Sequence, residues 1–262
     1  MKNLNVSAIS IANVIRTGIF MWPNKIVFFG PIEQLDAHKY GAVALQIGLY
    51  SHFYIRFKNT HWLPTRCAIV PAGIKHEIRF PKGVFGKLFI EQGCSEYLCF
   101  KERFPHRNNI PTLFFDQQAI QSFQTMYESA FNKNSIHQHV NSLIEYKNRD
   151  NAGFDCRVQK AIEIFNSDIS RNYSIDSLAK EVDLSPSRFR HLFVEQTGIA
   201  YSQFRIWQRL RTAEMSLNKI DSLTWAAIDA GFSDLSHFSR HYKDAFGIKP
   251  SSVFKTLNNF EI

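Results

Sequence analysis

A chain of 262 residues with 45% hydrophobic side chains is long enough for two ordinary cores and too apolar to stay disordered. Its four cysteines, Cys67, Cys94, Cys99 and Cys156, form no CxxC pair and have no histidines at finger spacing, so neither a disulfide framework nor a zinc finger is expected, and a reducing cytoplasm fits. The formal charge of +8 is concentrated in residues 1–150, with 17 Lys and Arg against 10 Asp and Glu, while residues 151–262 hold 14 against 13; an anionic partner of the second half must be met by local placement of charge.

The first twenty residues are broken by Asn13 and Arg16, unlike an export leader, and no run in the chain approaches the ~18 apolar residues of a membrane span. From residue 26 to about 91 the chain reads as short β-like runs, KIVFFG, AVALQIGL, HFYIRF, RCAIVP and GKLFIE, separated by Pro, Gly, Asn and Asp, which predicts a sandwich or small barrel. Over 116–147 the period changes. Ile120, Phe123 and Tyr127, then Ile136, Val140, Leu143 and Ile144, recur at helical spacing and predict two helices. With Met126 and Phe131 nearby, their apolar surface exceeds what one barrel face covers, which points to pairing with a second copy. The polar, aperiodic NRDNAG at 148–153 is the expected linker between domains at 1–150 and 151–262.

Beyond it everything reads helical, and an internal repeat emerges. SLAKEVDLSPSRFRHLFVEQTGI, 177–199, lies over AAIDAGFSDLSHFSRHYKDAFGI, 226–248, with one extra residue after the second turn. Ala179 meets Ala227, Leu184 meets Phe232, Ser185 meets Ser233, Phe189 meets Phe238, Phe193 meets Tyr242 and Gly198 meets Gly247. Each copy reads as helix, tight turn, helix. Asp183 and Gly231 suit a left-handed turn, Ser185–Pro186 and Ser233–Asp234 start the second helix, and Gly198 and Gly247 end it. The expected units are helix-turn-helix 1 at about 175–197 and helix-turn-helix 2 at about 224–246. Between them, 200–218 lacks Pro and Gly and predicts a helix about 28 Å long, close to the ~34 Å of one DNA turn.

Residues 155–257 resemble the DNA-binding domain of the AraC/XylS family of bacterial transcription regulators, on SLAKEVDLSPSRFRHLF, the RLRTA of the connecting helix and AAIDAGFSDLSHFSRHYKDAFGIKP, against the family pattern IAxxxGFxDxSxFxRxFKxxxGxxP. Val253 stands where the family places an aromatic residue and Phe254 follows one later, so the last helix is expected in a shifted register. Helical spacing puts Phe189, Leu192 and Phe193 inward, leaving Ser187, Arg190, His191 and Val194 outward. In the second copy Phe238, Tyr242, Ala245 and Phe246 go inward, leaving Ser236, Ser239, Arg240 and Lys243 outward. The resemblance implies base contacts at Ser187, Arg190 and His191, then at Ser236, His237, Ser239 and Arg240. Arg188 and Lys243 suit phosphate. His241 overlays Leu192 and is expected packed rather than reading. Arg205, Arg209 and Arg211 face phosphate or structure, with Arg209 holding the fixed arginine of the family's RLxxA pattern.

VPAGIKHEI, 70–78, resembles the second motif of cupin barrels, as found in sensor domains of this family. The first motif's HxH and Glu are missing, with only His38 in that stretch, so no metal is expected and His76 reads as a turn histidine on the barrel rim. His137 and His139 read as a solvated helix face. There is neither a nucleophile elbow nor a Gly-rich phosphate loop, so an enzyme is not expected. The expected fold class is therefore α+β: a cupin-like β-barrel with a helical extension, then an all-α domain of seven helices with two helix-turn-helix motifs joined by a long helix. The expected partners are double-stranded DNA, RNA polymerase, a second copy of the chain and a small effector in the barrel, without a cofactor. A metal-dependent cupin enzyme and a protein-binding helical module are the alternatives.

Overall fold

The computed structural model describes residues 16–261 except 59, 81–82, 108, 130–131, 148–153, 218–221 and 255–258. The expected linker and Phe131 lie outside the described residues. In chain order the strands are β1 (Gly18–Trp22), β2 (Lys25–Pro31), β3 (Gln34–His38), β4 (Val43–Gly48), β5 (Phe53–Phe57), β6 (Leu63–Thr65), β7 (Cys67–Val70), β8 (His76–Arg79), β9 (Val84–Ile90), β10 (Thr112–Phe114) and β11 (Asn259–Glu261). Helices α1 (Ser95–Arg103), α2 (Gln117–Glu128) and α3 (Lys133–Leu143) complete this part.

The strands form two open sheets rather than a closed barrel: one ordered β10-β7-β4-β9-β2-β1-β11, the other β3-β8-β5-β6. The reason lies in the burial of the large sheet on both faces, with every residue of β4 and β9 buried. Phe20, Val27, Val43, Leu45, Leu88 and Ile90 form one cluster with α1, α2 and α3. On the alternate positions, Ala68, Val70 and Phe85 pack against Phe53, Ile55 and Ile78 of the small sheet. Ile19, Met21, Ile26, Ala44 and Phe89 are covered instead by Trp207 of the helical part. Burial on both sides also explains why these strands read as continuous apolar runs.

α2 and α3 form as expected, capped by Asp116, which accepts from Ala119 N–H at 2.9 Å, and by Asn132, which accepts from Ser135 N–H at 3.0 Å. Ile120, Phe123, Met126, Ile136, Val140, Leu143 and Ile144 are all buried in the chain's own core. The apolar surface that suggested a second copy is consumed by the large sheet. His137 and His139 are half-buried, not solvated, and the ring of His137 packs on Trp22.

The rest is helical: α4 (Cys156–Ser167), α5 (Ile175–Glu181), α6 (Pro186–Thr197), α7 (Tyr201–Ser216), α8 (Leu223–Asp229), α9 (Leu235–Phe246) and α10 (Pro250–Phe254). α7 contributes Tyr201 and Phe204 to the cluster around α4–α6, then Leu210 and Ala213 to the cluster around α8–α10. Its 16 residues make a strut about 24 Å long joining two small cores.

Candidate nucleic-acid interface

Local chemistry builds the first helix-turn-helix. Asp183 takes a left-handed backbone, φ 54°, Ser185 accepts from Arg188 N–H at 3.2 Å, Pro186 occupies the first turn, and Gly198 closes α6 at φ 74°. Phe189, Leu192 and Phe193 are buried, and Ser187, Arg188, Arg190, His191 and Val194 are all exposed. An exposed valine among polar neighbours adds an apolar spot suited to a thymine methyl.

The second unit repeats the plan with one refinement. Of the two capping candidates, Asp234 caps α9, accepting from His237 N–H at 2.7 Å, while the Ser233 hydroxyl donates to Asp234 at 2.9 Å. Gly231 turns the chain at φ 88°, Gly247 ends α9 at φ 75°, and Phe238, Tyr242 and Ala245 are buried. Phe246, expected inward, is half-buried. Ser236, Arg240 and Lys243 are exposed, and His237 and Ser239 are half-exposed. His241 is half-buried beside Phe232, as expected for a packed residue. Val253 joins the mixed cluster with Trp207 while Phe254 packs on Tyr242, ring centroids 5.8 Å apart, which accommodates the shifted register.

Two strut arginines are internal. Arg209 is 3% exposed, its Nε donating to Ile169 O at 3.1 Å and its Nη2 to Ser170 O at 2.9 Å, so it ties α7 to the loop between α4 and α5. Arg211 is buried against Glu91 and donates to the carbonyls of Trp22 and Pro23, both at 2.8 Å. Arg205 is half-exposed. Lys243 pairs with Asp36 of β3 at 3.0 Å.

That last contact belongs to a wider junction. Asp36 N–H donates to Gly247 O at 3.0 Å and Lys39 N–H to Asp244 O at 3.1 Å, so the β part satisfies carbonyls left open at the end of α9. Glu91 at the end of β9 also accepts from Trp207 Nε1 at 3.3 Å and from Gln208 Nε2 at 2.9 Å. Sequence reasoning missed Glu91, because its partners lie over a hundred residues away.

A cavity of about 80 Å³ lies within this junction, lined by Ile19, Phe28, Phe89, Phe246, Ile248 and Val253, with Lys87, Glu214 and Tyr242 at its wall. Lys87 donates to Tyr40 Oη at 2.8 Å, and burial pushes its ammonium down to about 7. Burial pushes the Glu214 carboxyl up to about 7, against a hydrogen bond from Tyr242 and the nearby Arg211. The signal for Lys87 was a lone cation inside an apolar strand run. His76, expected on a rim, is 1% exposed, because β8 carries it between the sheets. Its Nδ1 meets Ile74 O at 3.0 Å, its Nε2 meets Gln46 Nε2 at 3.1 Å, and burial lowers it to about 3, leaving it neutral.

Two helix-turn-helix units on one strut have the arrangement that a bipartite DNA-reading domain requires. The profile of a family described as "Helix-turn-helix domain" matches residues 178–256. The arabinose operon regulatory protein of Escherichia coli K12 is 35% identical over 99 residues, 37% of this chain and 34% of that protein. The XylDLEGF operon transcriptional activator of Pseudomonas putida is 27% identical over 101 residues, again 37% of this chain and 32% of that one. The chain thus matches about a third of the length of these curated relatives. Among solved structures, apo ToxT from Vibrio cholerae superposes with a TM-score of 0.65 at 11% identity, covering 91% of this chain and all of that one, so the two share a fold. The helical part of this chain is thus similar to a helix-turn-helix domain that these operon regulators also carry over the matched stretch.

Proposed function

We propose that the protein is a sequence-specific, DNA-binding transcription regulator of the AraC type, with a sensor domain at 1–150 and a DNA-binding domain at 151–262. The observation that carries it is the repeated helix-turn-helix, whose exposed polar side chains fall at equivalent positions of α6 and α9. Ser187, Arg190 and His191 read one major groove and Ser236, His237, Ser239 and Arg240 the next, with Arg188 on phosphate and Lys243 able to reach it once Asp36 lets go. Arginine takes guanine O6 and N7 together, which suits Arg190 and Arg240 to direct readout. Footprinting with the full chain on DNA upstream of its own gene tests this: two protected segments about 10 base pairs apart on one face are expected, and a single segment overturns the bipartite reading.

The effector site in this reading is the junction cavity rather than the barrel interior. Its lining is apolar with one buried ammonium, chemistry suited to an apolar carboxylate, and ToxT has been solved with an unsaturated fatty acid bound. At about 80 Å³ it is far below the roughly 300 Å³ of the smallest ligand pockets, so in this reading an effector must widen it. Recruitment of RNA polymerase, pairing as a homodimer and a cytoplasmic setting complete the proposal by resemblance. Pairing would use the outward faces of α2 and α3, since their apolar faces are covered. Light scattering of the full chain tests it.

A further inference from the structure

Two histidines stand one turn apart on α9, in the sequence HFSRH. Their Nε2 atoms lie 3.0 Å from each other, with ring centroids 4.7 Å apart. Phe232 flanks both rings, at 5.4 Å from His237 and 6.1 Å from His241, which restricts their rotamers. The Ser233 hydroxyl donates to Asp234 Oδ2 at 2.9 Å, and its Oγ lies 3.1 Å from His237 Nδ1, which also accepts from Ser233 N–H at 3.4 Å. On binding an ion through Nε2, His237 would carry its proton on Nδ1, where Ser233 Oγ is placed to accept it, as second-layer partners back metal-binding histidines.

Two imidazole nitrogens bound to one ion at about 2.0–2.1 Å stand about 2.9 Å apart at a right angle and about 3.3 Å apart at the tetrahedral angle. The observed separation falls in that interval before any ion arrives. In the metal-free pair one Nε2–H donates to the other Nε2; a cation takes that place, and the displaced proton moves to Nδ1 of its own ring.

We propose that His237 and His241 form a two-histidine chelate for a borderline divalent transition ion of the Zn²⁺, Ni²⁺ or Cu²⁺ class, with water in the remaining positions. Imidazole nitrogen suits these ions, and histidines at i and i+4 meet on one helix face. Among the described residues no group of three or more His, Cys, Asp or Glu is assembled around an ion, so the site is two-coordinate on the protein side and exchangeable. The ion would occupy the face of α9 beside Arg240 and withdraw His237 from base edges, a consequence that rests on the DNA-binding reading.

The test is titration of tag-free full-length protein with Zn²⁺ by calorimetry, and with Cu²⁺ by electron paramagnetic resonance. One Cu²⁺ with two coupled nitrogens is expected. His237→Gln and His241→Gln should each leave one nitrogen and weaken binding at least about tenfold, because the second ligand acts intramolecularly, whereas His191→Gln on α6 should change nothing. His237 is half-exposed, and an unchanged melting curve for His237→Gln separates loss of the ligand from loss of fold. A wild-type protein that binds no tighter than His237→Gln, or shows a single nitrogen, overturns the site. Operator affinity with and without Zn²⁺ is read separately: failure to bind any operator sinks the DNA reading and leaves the chelate standing.

Discussion

Glu214 and Lys87 are charged groups placed where charge is costly. The carboxyl, ordinarily near 4.5, titrates near 7 in the folded chain, so between those values the folded state holds the extra proton and stability falls as pH rises. Lys87 behaves oppositely: its ammonium, ordinarily near 10.5, titrates near 7, so from there to 10.5 the unfolded state holds the extra proton and stability climbs with pH. Glu214→Gln should therefore stabilise the protein by about 1–3 kcal/mol at about pH 8 and by little at about pH 5, measured as urea midpoints. A gain that is equal at both pH values would mean the carboxyl is not titrating inside the structure. On α9 the side chains separate by role. Arg240→Ala should cost about 1–3 kcal/mol of operator binding and relax preference at one base pair, while Lys243→Ala should weaken all sequences alike and lower the salt slope by about one. Asp36→Asn, by freeing Lys243, should move general affinity the other way.

At the level of the element, α7 sets the geometry of both reading helices, and Gly231 shows how tightly. It sits at φ 88°, and a Cβ there would lie 2.9 Å from the Arg209 guanidinium carbon. Gly231→Ala thus meets backbone strain and a steric conflict together, and about 1–3 kcal/mol of destabilisation is expected in thermal melts, with loss of operator binding as the turn shifts. Trp207→Pro would break the strut at a cost of about 3 kcal/mol or more and leave two uncoordinated units, seen as a footprint reduced to one segment. Caps, turns and the exposed faces of α6 and α9 were legible in the sequence because their signals are local: Ser185–Pro186, Asp183, and glycines at the same place in both copies. The junction was not legible, since Arg211 looks like any surface arginine of a helix until Glu91 and the carbonyls of Trp22 and Pro23 are brought to it. For α2 and α3 the stripe was right but its cover was wrong, because periodicity reports that a face is buried and not what buries it.

Across the whole molecule, the two parts are joined by a core of their own. Trp207 packs with Phe89 and Phe246, and it approaches Gly41 so closely that a Cβ there would collide with the indole. Domains joined by a small polar contact move freely, whereas a junction with buried apolar side chains and a buried Arg211–Glu91 pair holds one arrangement until something separates it. Glu91→Ala would leave the buried Arg211 with only the carbonyls of Trp22 and Pro23, and a loss of about 1–3 kcal/mol is expected in denaturant titrations.

The last tie is the C-terminal strand. α10 puts Ser252 and Val253 at the cavity wall, and β11 then pairs in parallel with β1, Gly18 opposite Asn259 and Phe20 opposite Glu261. β1 in turn supplies Ile19 to the same cavity. α10 thus stands at the junction and β11 at the edge of the large sheet. Ending the chain at residue 257 should make β1 an open edge, and each backbone hydrogen bond lost removes about 0.5–1.5 kcal/mol of local stability. Hydrogen exchange of residues 18–22 should then accelerate about tenfold or more, with the α4–α6 core unchanged. On the proposed reading of the junction cavity as an effector site, an apolar carboxylate should bind the truncated protein more tightly. If exchange in β1 is unaltered by the truncation, the strand is no clasp and the junction is held by Trp207 and Arg211 alone.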